Sequence, residues 1–265
     1  MPTTTVNGTK FSYNDTGGDG HPVLLLHAFP LNSGQWEQQT DALSDRYRFI
    51  VPDLKGFGGS DAPEDASAYS MDDYADSVAG LLDELGLQKV TLVGLSMGGY
   101  IAFAFLRRHR DRVEALVLAD TRAEADPPEG KEKRSKQQVM VRGEGTAGLI
   151  EALTGALIAE ATLSGKPDVV DRLRKLMDNA PAGFVGGLEA MKNRPDSSGE
   201  LAAIDVPTLV IVGEKDGVTP PEAARALNEG ISGSRLVVIP GVGHLSNLED
   251  PQAFTGALEE FLAGL

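Results

Sequence analysis

Six short apolar runs recur along the chain, at residues 22–27, 47–51, 90–93, 115–119, 208–212 and 235–239. They show little alternation of apolar and polar positions. A strand with one wet face alternates, so continuous runs of this length predict strands buried on both faces, as in a parallel sheet. Upstream, residues 3–6 and 10–13 flank Asn7-Gly8. That pair tolerates the positive φ values of a type I′ turn, so the chain is expected to open with a β-hairpin.

Helical periods lie between the runs. Ser70-Met71-Asp72-Asp73 resembles a capping-box start, and Tyr74, Val78, Leu81, Leu82 and Leu85 follow on one face, with Gly86 as a natural stop. Residues 97–109 read as a helix ending in Arg107, Arg108 and His109, cations suited to its C-terminal dipole. Residues 220–229 and 250–263 supply two more. Strands alternating with helices predict an α/β fold with a doubly wound, mostly parallel sheet.

Residues 121–200 break the alternation. Their periods are helical only, at 131–142, 146–159, 167–178 and about 181–192, with Pro167 suited to a first helical position. Asp126-Pro127-Pro128 and Arg194-Pro195-Asp196 read as hinges. The expected organisation is a core of residues 1–120 and 201–265 with a helical cap, 121–200, inserted between two sheet strands.

Charge supports that division. The chain of 265 residues has a formal net charge of -15, but residues 121–200 hold 12 Lys+Arg and 13 Asp+Glu, so nearly all the excess lies outside them. Such acidity disfavours nucleic acid as a partner, because affinity there comes from cations on phosphates. The absence of cysteine excludes thiolate catalysis, a Cys-bound zinc and disulfides. No apolar stretch approaches the ~20 residues of a membrane span. The first residues lack the basic flank and apolar run of a signal peptide, so no membrane partner and a cytoplasmic location are expected. Oligomeric state stays open.

The chemistry centres on Gly94-Leu95-Ser96-Met97-Gly98-Gly99, a G-x-S-x-G placed between an apolar run and a helix. In that context the motif forms a tight turn that lifts the serine above the sheet at a helix N-terminus, where a developing anion is favoured. The serine needs a base, and the chain has four histidines. His21 reads as part of a polar loop, and His109 stands about 20 Å away at the far end of the helix. His27 and His244 both end or follow strands. His244, in Pro240-Gly241-Val242-Gly243-His244, is the expected base, and His27 the expected structural residue. The orienting acid is Asp216 or its rival Asp120, each after a strand at the edge where ligands bind in open α/β sheets. Asp216 keeps the order Ser, Asp, His and is preferred.

These motifs resemble the α/β-hydrolase superfamily, specifically its capped serine esterase, lactonase and perhydrolase-like branch. The matching pieces are His27-Ala28-Phe29-Pro30, Asp53 to Ser60, the elbow at 94–98, Gly213 to Asp216 and Gly241 to His244. Ala28 stands where the family usually has glycine. The resemblance implies an oxyanion hole from the backbone N–H groups of Phe29 and Met97, and a structural role for Asp53. It disfavours epoxide hydrolases and haloalkane dehalogenases, whose nucleophile is an aspartate where this chain has Ser96.

The implied activity is a carboxylic ester hydrolase working through an acyl-enzyme on Ser96, with no organic cofactor and no metal. Lactonase, C–C bond hydrolase and cofactor-free perhydrolase are alternatives with the same triad; a ligand-binding receptor on a hydrolase fold is one of another class. Phe29 and Met97 are expected as apolar walls. Met140, Leu153, Leu157, Phe184 and Met191 are the candidate pocket residues from the cap. No Arg or Lys can be assigned from sequence as a clamp, so the expected partner is a small neutral ester.

Overall fold

The computed structural model describes all 265 residues. The hairpin forms first: β1 (Thr3–Val6) pairs antiparallel with β2 (Thr9–Asp15), turning at Asn7 and Gly8, both with positive φ. Then come β3 (His21–Leu26), α1 (Glu37–Leu43), β4 (Tyr47–Pro52), α2 (Met71–Glu84), β5 (Val90–Leu95), α3 (Met97–His109) and β6 (Val113–Ala119). Ser70 caps α2 by accepting from the Asp73 N–H, and Gly86 follows with φ 67°. His21 opens β3 rather than standing in a loop, and its Nε2 bonds the Thr91 hydroxyl at 2.8 Å.

Five helices follow β6 without a strand: α4 (Pro128–Glu144), α5 (Ala147–Leu157), α6 (Glu160–Gly165), α7 (Pro167–Leu176) and α8 (Pro181–Lys192). The short α6 falls between the helical periods read at 146–159 and 167–178. The chain then resumes with β7 (Thr208–Gly213), α9 (Pro221–Gly230), β8 (Arg235–Ile239), α10 (Ser246–Glu249) and α11 (Pro251–Leu262). The eight strands form one sheet in the order β1-β2-β4-β3-β5-β6-β7-β8, parallel from β4 to β8. No helix is long and apolar enough to cross a membrane.

The apolar runs sort onto two faces by strand alternation. Leu24, Leu26, Leu92, Leu116, Leu118, Val210 and Val212 join one buried cluster with α2 and α3. Val23, Leu25, Val93, Val117, Leu209 and Ile211 join the other with α11. The inserted helices contribute to both clusters: Phe184, Leu188 and Met191 to the first, Leu157, Val170 and Leu173 to the second. They therefore pack onto the sheet's own core. The connections reverse direction between β3 and β5, and that switch opens a crevice at the carboxyl ends of the strands.

Candidate active site

Ser96 occupies the turn from β5 into α3. Its φ is 56° and ψ -113°, a conformation that non-glycine residues rarely adopt. The turn has no room beside it: a Cβ on Gly94 would strike the Gly98 carbonyl, and one on Gly98 would strike the Leu26 carbonyl. The Ser96 N–H donates to the Ala119 carbonyl at 2.9 Å, and Thr121 Oγ1 donates to the Ser96 carbonyl at 2.9 Å. The strained backbone is thus pinned to the end of β6. The side chain projects over the sheet edge at the N-terminus of α3.

His244 and Asp216 reach the same point from loops after β8 and β7. His244 Nε2 lies 2.8 Å from Ser96 Oγ, and His244 Nδ1 lies 2.8 Å from Asp216 Oδ2. A carboxylate only accepts, so Nδ1 carries the ring proton and Nε2 is free to accept from the serine. Asp216 is fully engaged: Oδ1 accepts from the Val218 and Thr219 N–H groups at 2.8 and 2.9 Å, and Oδ2 also accepts from Thr219 Oγ1 at 2.7 Å. Burial works to raise its pKa, yet His244 and these donors hold it below the usual carboxylate value. For His244, burial works to lower the pKa. The Asp216 carboxylate outweighs it, with Asp120 and Glu249 adding, and the pKa is raised above 6.5.

The rival acid lies next to this pair without touching the imidazole by hydrogen bond. Asp120, also at positive φ, accepts from the Gly213 N–H at 2.8 Å and meets the Ser246 hydroxyl at 2.5 Å. Burial, with the nearby Asp216 charge, pushes its pKa up to about 8. The two acids are thus pushed in opposite directions, Asp216 down and Asp120 up.

His27 is fully buried, and its ring is committed elsewhere. Nε2 accepts from the Leu54 N–H at 3.0 Å, so Nδ1 donates to the Ala28 carbonyl at 2.9 Å. Burial lowers its pKa to about 4. Asp53 locks the adjoining loop, accepting from the N–H groups of Ser33 and Gly59. His109 stays at the far end of α3, paired with Asp76.

The loop that carries Phe29 is held from behind. Gln35 Oε1 accepts from the Ala28 N–H at 2.8 Å, and Asn247 Nδ2 donates to the Gln35 carbonyl at 3.1 Å. The Phe29 N–H makes no intramolecular hydrogen bond, and Met97 begins the helix whose first N–H groups lack helical acceptors. Two such donors beside Ser96 are what a developing oxyanion requires.

An open cavity of about 920 Å³ contains Ser96 and His244. Of the apolar candidates, Phe29, Leu153, Leu157 and Met191 line it. Phe184 does not; it is fully buried and supports Phe29 edge-to-face at 5.7 Å. Met140 does not either. The cavity face of α4 presents Gly130, Lys133, Arg134 and Gln137, and Met140 lies beyond it, 39% exposed. Met97 is buried in the core instead of forming a wall.

The structure also places there residues that sequence reasoning missed. Tyr100 follows Ser96 by four residues, hence one turn along the same helix face. Thr219 stands three residues after Asp216, a spacing at which a hydroxyl returns to an Asx turn. Arg122, Lys133, Arg134 and Lys215 are four cations where the sequence assigns none. Lys215 borders Asp216 and Arg122 follows β6, so the strand-end rule was the available signal for these two.

The residues from 21 to 251 match the family model of the alpha/beta hydrolase fold. A thermophilic esterase from Thermogutta terrifontis, solved with malate bound, superposes with a TM-score of 0.93 at 43% identity, covering 99% of this chain and 96% of that one. The enol-lactonase from Burkholderia xenovorans LB400 gives a TM-score of 0.92 at 31% identity, covering 99% and 100%. Epoxide hydrolase A of Mycobacterium tuberculosis is 30% identical over 309 residues, covering 98% of this chain and 96% of its own. Matched along most of its length by both model and relatives, the chain is a hydrolase-fold enzyme and belongs to the alpha/beta hydrolase family.

Proposed function

We propose that the protein hydrolyses carboxylic esters of small molecules through an acyl-enzyme on Ser96. The observation that carries this reading is the unbroken chain Ser96 Oγ, His244, Asp216, with both contacts to the imidazole at 2.8 Å, opening into the cavity. Ser96 Oγ attacks the ester carbonyl while His244 Nε2 takes its proton. The carbonyl oxygen becomes an oxyanion, held by the N–H groups of Phe29 and Met97. Collapse expels the alkoxide, which leaves as an alcohol with the proton from His244. Water then gives its proton to His244, attacks the acyl carbon, and the acid departs as the Ser96 proton is restored. Asp216 keeps the imidazole in the required tautomer and stabilises it once protonated. The inserted helices act as a cap, supplying Leu153, Leu157 and Met191 as the apolar wall.

The likeness to an esterase and to an enol-lactonase supports this class, and makes lactones a second substrate type, since a lactone is a cyclic ester. The epoxide hydrolase relative does not redirect the reading, because Ser96 stands where an epoxide-opening carboxylate would be needed. A fluorophosphonate probe followed by peptide mapping tests it: the label is expected on Ser96 alone, with turnover of p-nitrophenyl butyrate. Absence of both label and turnover overturns the reading, and ligand-dependent stabilisation without them marks a binding protein instead.

A further inference from the structure

The cavity wall is cationic although the molecule is strongly acidic. Against a chain charge of -15, the wall around Ser96 and His244 carries Arg122, Lys133, Arg134 and Lys215 but only the carboxylates Asp126 and Glu160. That is a formal excess of two positive charges on the wall. A wall drawn at random from this composition would be negative.

Asp126 does not cancel the excess, because it is shared. Its carboxylate meets Arg194 at 2.8 Å, Arg122 at 3.3 Å, and Arg134. Side-chain exposures of 2% for Asp126 and 3% for Arg194 put the pair out of water. Three guanidinium groups thus converge on one buried carboxylate, where repulsion between them is poorly screened. Arg194 has further partners, donating to the Met191 and Glu124 carbonyls and lying over the Tyr100 ring at 4.1 Å, and only its buried Nε is unpaired. Arg122 has fewer. Asp126, at 3.3 Å, is its one side-chain partner, and its buried Nε has none.

Arg122 is also rooted beside the nucleophile. It follows Thr121, whose hydroxyl holds the Ser96 carbonyl at 2.9 Å. Arg122 therefore starts from the same strand edge as Ser96, and it lines the same cavity with a partly exposed side chain.

We infer that Arg122, with Arg134 beside it, receives a carboxylate carried by the substrate, so that the preferred substrates are anionic esters such as half-esters of short dicarboxylic acids or their lactone equivalents. A planar fork with unused donors matches a carboxylate bidentately, and a third anionic group relieves the crowding of cations around Asp126. The inference rests on the ester hydrolase reading and narrows its substrate class. It replaces the neutral ester expected from sequence, which assigned no cation to the site.

The test compares kcat/KM for mono-p-nitrophenyl glutarate with that for p-nitrophenyl valerate, a neutral ester of similar length. The wild-type enzyme is expected to favour the anionic ester by about tenfold or more, the scale of one hydrogen bond to a charged group. Arg122→Gln is expected to lose that preference and Arg122→Lys to keep part of it, while Lys175→Gln, an exposed change on α7, keeps all of it. Arg134 and Arg194 still neutralise Asp126 in Arg122→Gln, so the variant retains that buried pair. A wild-type ratio of one or less, or an unchanged ratio in Arg122→Gln, overturns the inference and leaves ester hydrolysis standing. If neither ester is hydrolysed, the ester reading falls, and calorimetry decides the inference alone: wild-type binding of glutarate over uncharged glutaramide upholds an anion site, and no preference overturns it.

Discussion

At Ser96 the backbone holds a φ of 56° that costs a non-glycine residue about 1–3 kcal/mol. What holds it is local: Gly94 and Gly98 clear the space, and bonds to Ala119 and Thr121 close the turn. The same scale sets the pH behaviour. His244 works as a base only when neutral, and the Asp216 carboxylate raises its pKa above 6.5 despite burial. The acid limb of kcat/KM for an uncharged ester is therefore expected to bend above pH 6.5; a bend at or below that value contradicts the Asp216 pairing. His27 has the opposite sign. Its folded pKa of about 4 lies below the ordinary 6.5, so the unfolded chain takes up the proton first as pH falls. Stability present above pH 6.5 is lost progressively toward pH 4, by roughly 3 kcal/mol at about 1.4 kcal/mol per unit. Thermal melts of His27→Gln are expected to show a flatter slope across that window than wild type, and equal slopes would refute the buried neutral ring. Ser96, His244 and Asp216 were legible in sequence because each follows an apolar run at one sheet edge. Thr219 and Arg122 were not, since their roles arise from how loops fold back.

Among the elements, the two loops flanking Ser96 are tied to each other. Gln35, just before α1, takes the Ala28 N–H and receives the Asn247 amide, while Gln39 bonds Asn247 in turn. The loop bearing His244 is stitched to the insertion: Glu249 accepts from the Gly243 N–H at 2.8 Å and the Ala159 N–H at 2.9 Å. Replacing Gln35 with Leu leaves the Ala28 N–H without its acceptor and Asn247 Oδ1 without the Gln35 Nε2 donor, while Asn247 Nδ2 keeps the Gln35 backbone carbonyl and Gln39. The expected cost is about 1–3 kcal/mol for each buried group. Because the Ala28 bond also steadies the Phe29 N–H, kcat is expected to fall by about tenfold or more with KM little changed. Denaturant melts and steady-state kinetics check both; a stability loss with unaltered kcat would separate the network from the oxyanion loop. Long helices such as 97–109 and 181–192 could be read from their period and caps. The four-residue α10 and the six-residue α6 are too short to show one. The cavity side of α4 reads as an ordinary solvated face, because Lys133, Arg134 and Gln137 give the same pattern whether they meet water or a binding chamber.

In the whole molecule, the inserted helices share both buried clusters with the sheet and have their anchors in Asp126, Arg194 and Glu249. A shared core predicts that they unfold with the sheet. Calorimetry is expected to show one transition whose van't Hoff and calorimetric enthalpies agree, and two separated transitions would mean that the insertion is an independent unit. Charge is likewise a property of the whole: the acidity seen in sequence says nothing of the cationic wall, which forms only when residues from the loop after β6, α4 and the loop after β7 meet. All of this architecture converges on one hydroxyl. The most direct measurement is therefore the hydrolysis of a p-nitrophenyl ester by wild type and by Ser96→Ala, with the variant's fold checked by its melting curve. A serine nucleophile predicts a loss of kcat of about 10⁴-fold or more in the folded variant. Equal rates would contradict the account.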